Sequence, residues 1–190
     1  MILAAETLIP LKFGDREPEA VYLLAADRGG YNQAKQLCKE FADKTQPIET
    51  TGNTFRFTIS ENGHSVRVCV KNEERIPWVI ENYKGVPALS GESLLASCLL
   101  SEREKGSDQA RNARNLVDLI SIAGNTTPTE QKAAINAVNA FTVSKVRRIE
   151  EVIKMQDVEK ALKLLDFDDK AAAGVKGRVA KLKGRDGLSL

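Results

Sequence analysis

Apolar and polar residues alternate one by one through residues 54–71, where Phe55, Phe57 and Ile59 are interleaved with Arg56 and Thr58, and Val66, Val68 and Val70 with Arg67 and Cys69. A period of two is that of a strand with one face buried. Asn62-Gly63 stands between the two runs. This dipeptide favours a two-residue hairpin loop, because both central positions need positive φ. With that loop, Glu61 faces His64, Ile59 faces Val66, Phe57 faces Val68 and Phe55 faces Val70. On the other side Thr58 faces Arg67 and Arg56 faces Cys69. The pattern predicts an antiparallel hairpin with one dry face and one wetter, basic face.

Upstream, Val21-Tyr22-Leu23-Leu24-Ala25 is an apolar run of strand length, and Asp27-Arg28-Gly29-Gly30 has the composition of a turn. Ala34, Leu37, Cys38 and Phe41 then recur at i, i+3, i+4 and i+7, the stripe of an amphipathic helix over 31–44. Residues 72–90 read as irregular, punctuated by Pro77, Gly85 and Pro87, with Trp78, Val79, Ile80 and Tyr83 as a local apolar cluster under the sheet. Ser90 is placed to cap a helix carrying Leu94, Leu95, Cys98 and Leu99. The polar run 101–107 marks the boundary between two halves.

Beyond it the periodicity is helical throughout. Ser107 or Asp108 caps a helix containing Ala113, Leu116, Val117 and Ile120, with Gly124 at its C-terminal end. Thr127-Pro128-Thr129-Glu130 is a capping box opening a helix with Ala134, Val138 and Phe141 on its stripe. A third helix is expected from near Ser144 to Leu165. Its stripe of Val146, Ile149 and Ile153 is offset from a second one of Met155, Val158, Leu162 and Leu165, which predicts a break near Asp157. The last segment, 169–183, carries Val175, Val179 and Leu182 on one side and lysines around the rest. Gly174 and Gly177 weaken it by about 1 kcal/mol each relative to alanine, so it is expected to fray or to order on contact. The fold class is therefore α+β: a βαββ-like mixed half with the 54–71 hairpin, followed by an all-helical half. The expected division is a mixed domain over 1–105, a helical bundle over 106–169 and a basic C-terminal helix or tail over 170–190.

Composition changes this picture in one respect. The formal charge of +2 conceals an asymmetry, because residues 1–100 hold 11 Lys or Arg and 13 Asp or Glu, while residues 101–190 hold 17 and 13. From Lys170 onward six basic residues face one acid, Asp186. A gathering of positive charge is an argument about partners. No apolar run reaches the roughly 18–20 residues of a membrane span, and the N-terminus meets Glu6 with no basic residue before it. A cytoplasmic protein with no signal peptide and no membrane partner is expected.

Candidate chemistry is sparse. Cys38, Cys69 and Cys98 are widely spaced and set among apolar residues, and His64 is the single histidine. Those numbers do not fill a structural zinc site, and no metal or cofactor is expected. Cys69 shares the basic hairpin face with Arg56 and Arg67, surroundings that lower a thiol pKa. His64 is an odd number of residues away and points to the opposite face. The two-glycine turn after the first strand is either a bare turn or an anion cradle, and Asp166, Asp168 and Asp169 read as a solvated interhelical turn with a capping acid. The order strand, helix, strand, strand, helix is similar to most of a ferredoxin-like βαββαβ pattern, which RNA-recognition motifs share. However, Phe55 and Phe57 register with core valines and the final strand is missing, so no family is assigned.

The function expected from these features is non-catalytic association with DNA or RNA, with phosphate contacted by Lys145, Arg147, Arg148, Lys170, Lys176, Arg178, Lys181, Lys183 and Arg185. Arg56, Arg67 and Lys71 form a secondary basic face. The alternative is an assembly module, an adaptor, scaffold or structural subunit that forms oligomers or meets a protein partner through helical faces. An enzyme without a recognisable motif ranks third, and no catalytic residue is nominated.

Overall fold

The computed structural model describes residues 1–13, 18, 20–73, 78–103, 106–143, 145–153 and 155–185, leaving aside the side chains of Arg103, Met155, Gln156, Asp157, Lys183 and Arg185. Two compact units divide between Ser90 and Gly91. The first holds a seven-stranded mixed sheet and the second is helical among its described residues. The molecule is thus α+β, as the two periodicities require.

In the first unit the elements run β1 (Ile2–Leu3), α1 (Ala5–Phe13), β2 (Val21–Ala25), α2 (Arg28–Phe41), β3 (Glu49–Thr51), β4 (Thr54–Glu61), β5 (His64–Asn72), β6 (Ile80–Tyr83) and β7 (Val86–Leu89). The sheet order is β3-β4-β5-β2-β1-β7-β6. Strands β4 and β5 pair antiparallel in the register expected from the alternation: Phe55 faces Val70, Phe57 faces Val68, Arg56 faces Cys69 and Glu61 faces His64. Asn62 and Gly63 both take positive φ, 51° and 80°. Strand β2 lies parallel to β5, with Val21 opposite Val68 and Leu23 opposite Val70. Helix α2 closes this face, and Tyr31, Cys38, Phe55, Phe57, Val68 and Val70 form one buried cluster. Tyr31 meets Phe55 edge-on, with ring centroids 5.2 Å apart.

Four expectations change here. Residues 80–89 are not irregular but a second hairpin, turned by Lys84 and Gly85 at φ 51° and 88°. Val79 and Ile80 are exposed rather than packed under the sheet; Pro77 lies outside the described residues. Helix α2 begins at Arg28, so the two glycines occupy its first turn, with Asp27 as the cap. Its buried positions are Tyr31 and Cys38, which leaves Leu37 (48%) and Phe41 (63%) exposed.

The helical unit contains α3 (Gly91–Arg103), α4 (Gln109–Ala123), α5 (Pro128–Phe141), α6 (Ile149–Val152), α7 (Met155–Leu164) and α8 (Asp169–Arg185). Helix α3 packs on α4 and α5, so it belongs with the helices that follow it, ahead of the polar run taken above as the boundary. Leu94, Leu95, Cys98 and Leu99 are buried on it. Asp108 caps α4, and the capping box of Thr127 and Glu130 opens α5 with both of its reciprocal bonds. The helix expected over 144–165 is instead two. A short α6 ends at Val152 and a longer α7 starts at Met155, so Asp157 lies inside a helix and not at the expected break, and residues 145–148 before them are not helical. Ile149 and Ile153 are buried, as are Val158 and Leu162, so both offset stripes serve the unit's own core.

The C-terminal segment is a docked helix. Val175, Val179 and Leu182 are buried, and α8 packs on α4. Gly124 ends α4 in the right-handed region at φ −66°, so its glycine is not there for positive φ. A Cβ at this position would lie 3.1 Å from Arg178 Cβ and 3.3 Å from Arg178 Cγ. The stem of Arg178 crosses α4 there, and its Nη1 donates to Ser121 Oγ at 3.2 Å. A Cβ atom cannot swing away from its own helix, so a larger residue displaces α8. Gly124→Val is expected to cost about 1–3 kcal/mol by overpacking and to speed amide exchange along α8. Hydrogen exchange read by mass spectrometry, with thermal melts, checks both.

Candidate nucleic-acid interface

The cations nominated from the sequence sort into distinct physical roles. Lys145 closes the end of α5: its Nζ donates to the carbonyls of Asn139 and, at 2.9 Å, Thr142. A cation there satisfies orphan carbonyls and opposes the helix dipole. Arg178 is half-buried and engaged with Ser121. Lys176 reaches Glu159 at 3.0 Å, both side chains being about half exposed. An exposed pair of this kind is worth about 0–1 kcal/mol, so Lys176 is tethered lightly. Lys170, Lys181, Arg147 and Arg148 are exposed. Lys183 and Arg185 lie on α8, but their side chains are outside the described residues, as is Asp186.

Helix α8 brings several of these together. Successive residues turn by about 100°, so Lys170 and Lys181 fall opposite the buried stripe of Val175, Val179 and Leu182, and Lys176 falls on its flank. Along the helix Lys170 and Lys181 stand about 16 Å apart, three turns. The 17 residues of α8 include six Lys or Arg and one acid, Asp169, which sits in the first turn. Just before it Asp168 accepts from the Ala171 N–H at 2.7 Å and caps the helix. The acidic residues here organise a helix start, and among the described residues no acidic cluster is arranged to hold a metal.

Arg147 and Arg148 lie apart in sequence, in the segment between α5 and α6. That segment is clamped. The Asn139 amide donates to the Val146 carbonyl at 2.7 Å, and its Oδ1 accepts from the Val146 N–H at 2.7 Å. Val146 and Ile149 are buried, while Arg147 and Arg148 are exposed. Phe141, expected on the buried stripe of α5, is 53% exposed, and Val143 is fully exposed. Sequence periodicity alone does not show this. Phe141 stands at i+3 from Val138, but it is the last residue of its helix.

On the sheet, Arg56 and Arg67 share one face of the hairpin, as the register requires, and both are exposed. Lys71 lies on the same face and pairs with Glu73 at 3.5 Å. Between them Cys69 is buried, and burial pushes its thiol pKa up. Arg56 opposes the shift without cancelling it, and Glu6 adds to it. The thiol is therefore protonated at neutral pH and not the activated nucleophile that its cationic neighbours suggest. His64 points to the opposite face. The two-glycine turn is no anion cradle either: Asp27 Oδ1 already accepts from the Gly30 N–H at 2.7 Å, occupying the helix N-terminus. Next to it the Arg28 guanidinium lies over the Tyr31 ring at 5.1 Å and donates to Asn53 Oδ1. No family model, curated protein or solved structure matches this chain. Among the described residues no helix is long and apolar enough to cross a membrane.

Cys38 shows the same direction of shift as Cys69, burial outweighing Lys39 and Lys35. Both groups hold their protons more tightly when folded, so their contribution to stability is complete below the ordinary thiol pKa and is lost as pH rises past it. Thermal stability is expected to fall on the alkaline side, from about pH 8.5–9 upward. At pH 7 a thiol-alkylating reagent is expected to label both cysteines far more slowly than in the denatured chain. Melting curves from pH 7 to 10 and timed labelling check the two outcomes.

Proposed function

We propose that this chain is a non-catalytic nucleic-acid-associated protein that contacts phosphate through the outer face of α8. The observation that carries this reading is the burial of Val175, Val179 and Leu182, which turns Lys170 and Lys181 outward on a continuous, docked helix. Positive charge on a fixed surface displaces the counterions condensed on a polyanion, and each lysine that does so contributes to salt-sensitive, sequence-independent affinity. The lightly held Lys176 adds a third contact by exchanging Glu159 for a phosphate. Lys145 and Arg178, nominated with them, are left in their structural roles. Such a role places the protein in the cytoplasm, where nucleic acid is accessible.

A second reading has its own observation. Leu37 and Phe41 form an exposed apolar pair one turn apart on α2, and spare apolar surface on a helix is a common mark of an interface. This supports self-association of the first unit. In this reading the contact is on α2 and not on the 144–165 stripes, where Ile149, Ile153, Val158 and Leu162 are buried in the helical core.

The first reading is tested by fluorescence anisotropy with labelled DNA and RNA between 50 and 200 mM salt. Binding is expected to weaken steeply with salt. The double variant Lys170→Glu, Lys181→Glu is expected to flatten the slope of log K against log[salt] by about two units. Absent binding, or binding indifferent to both salt and the double variant, overturns the reading. Light scattering coupled to size exclusion tests the second: a dimer that becomes monomeric in Leu37→Ser, Phe41→Ser supports it, and a monomeric wild type removes it.

A further inference from the structure

The sheet has two edges, and they differ. At one end lies β3, whose Glu49, Thr50 and Thr51 are all polar and exposed. At the other lies β6, where Ile80 is 50% exposed and the preceding Val79 is exposed as well. A short, polar, charged edge discourages pairing with another chain, and an apolar one invites it. The one charge on β6, Glu81, is already paired with Lys12. The ladder to β7 shows which backbone groups of β6 face outward. Tyr83 lies opposite Val86 and Ile80 opposite Leu89. In the same register the Ser90 N–H donates to the Val79 carbonyl at 2.9 Å. Residues 79, 81 and 83 therefore direct their backbone hydrogen bonds to β7, while Ile80 and Asn82 aim their N–H and C=O groups away from it. Among the described residues no strand lies on that side.

We infer that the outer edge of β6 pairs antiparallel with β6 of a second copy of this chain, with Ile80 of one copy opposite Ile80 of the other on a two-fold axis. The outward groups restrict the register, because Ile80 and Asn82 have to meet outward-facing residues of the copy. Centring the pair on Glu81 sets two carboxylates directly opposite, at the position where side chains approach most closely. Centring it on Asn82 brings Ile80 against Lys84, which leaves the strand at φ 51°. Centring it on Ile80 joins apolar to apolar, sets Glu81 opposite Val79 of the copy, and continues the ladder between Asn82 and Trp78. In that register the two glutamates are offset along the strands and each keeps its own Lys12. The same short segment supplies both halves of the contact, as a two-fold interface requires, so the occupant is a second copy. The contact is separate from the Leu37 and Phe41 pair on α2. It is also short, which puts it at the weak end of specific interfaces.

Sedimentation velocity on the full chain, run across a dilution series, tests this. The wild type is expected to form a dimer that dissociates at roughly micromolar concentration. Ile80→Lys puts a charge on the axis and is expected to give a monomer throughout, whereas Leu37→Ser, Phe41→Ser is expected to leave the dimer intact. Because Ile80 is half in solvent, a melting curve serves to confirm that the lysine variant is folded. Oxidising single-cysteine replacements reads the register. Opposite residues of a hydrogen-bonded pair have Cα atoms about 5.5 Å apart, within reach of a disulfide. Ile80→Cys is therefore expected to cross-link to its copy, and Asn82→Cys is not. A monomeric wild type, a dimer indifferent to Ile80→Lys, or failure of Ile80→Cys to cross-link overturns the inference. A dimer lost in Leu37→Ser, Phe41→Ser assigns the contact to α2 and overturns it too.

Discussion

Burial of Val175, Val179 and Leu182 decides which way α8 turns every other residue it carries. Three aliphatic side chains of this size contribute roughly 1.5–3 kcal/mol each when taken out of water, which exceeds the combined penalty of about 1 kcal/mol for each helical glycine. Gly174, Gly177 and Gly184 are in open space, with nothing within 4 Å of the position a Cβ would take. They weaken the helix without disturbing its docking. The expectation of a frayed segment counted the glycines and omitted the tertiary partner. Most helical stability in proteins comes from packing one face and not from propensity, and the crossing of Arg178 over Gly124 leaves no room there for a Cβ without a shift.

Positive charge in this protein divides by what each side chain touches. Lys145 and Arg178 spend their hydrogen bonds on the fold, one ending α5 and the other joining α8 to α4. Lys71 and Lys176 have a carboxylate within reach. A count of lysines and arginines in the second half treats these as equivalent to Lys170 and Lys181, and they are not. What survives the sorting is a smaller set placed on defined elements. The hairpin face shows the same logic in a different form. Arg56 stands over a buried thiol, and desolvation wins over its charge, so a cationic neighbourhood read from sequence does not by itself make a reactive cysteine.

The elements most legible in the sequence are those whose partner lies close along the chain. The 54–71 hairpin, its turn and its register all follow from alternation and Asn62-Gly63, because every pair lies within one short continuous stretch of chain. The capping box at Thr127 and Glu130 is legible for the same reason. Strand β1 is not. It has two residues, and it is a strand because Leu23 and Ala88 lie on either side of Leu3, partners distant in sequence. The second hairpin hid behind Pro87 and a turn, Lys84-Gly85, in which a lysine takes the positive φ usually left to asparagine or glycine. Helix stripes located the right helices and mis-assigned their edges. Leu37, Phe41 and Phe141 fit the period of a buried face, and each is exposed; on α2 the buried side is that of Tyr31 and Cys38. Periodicity reports which residues share a side of a helix, and it does not report which of two overlapping stripes the neighbour covers.

The same point bears on the contact proposed for α8. Helix α8 is folded without a ligand, so binding there would not carry the ordering cost that a disordered basic tail incurs when it folds onto its partner. The backbone of Val146, after α5, is held by the Asn139 clamp, and Lys145 is tied to the end of α5. Pre-ordered charge makes the electrostatic part of the affinity depend on counterion release, with little conformational change to offset it. In the proposed role, discrimination among nucleic acids would have to come from something other than charge, because every nucleic acid presents phosphates.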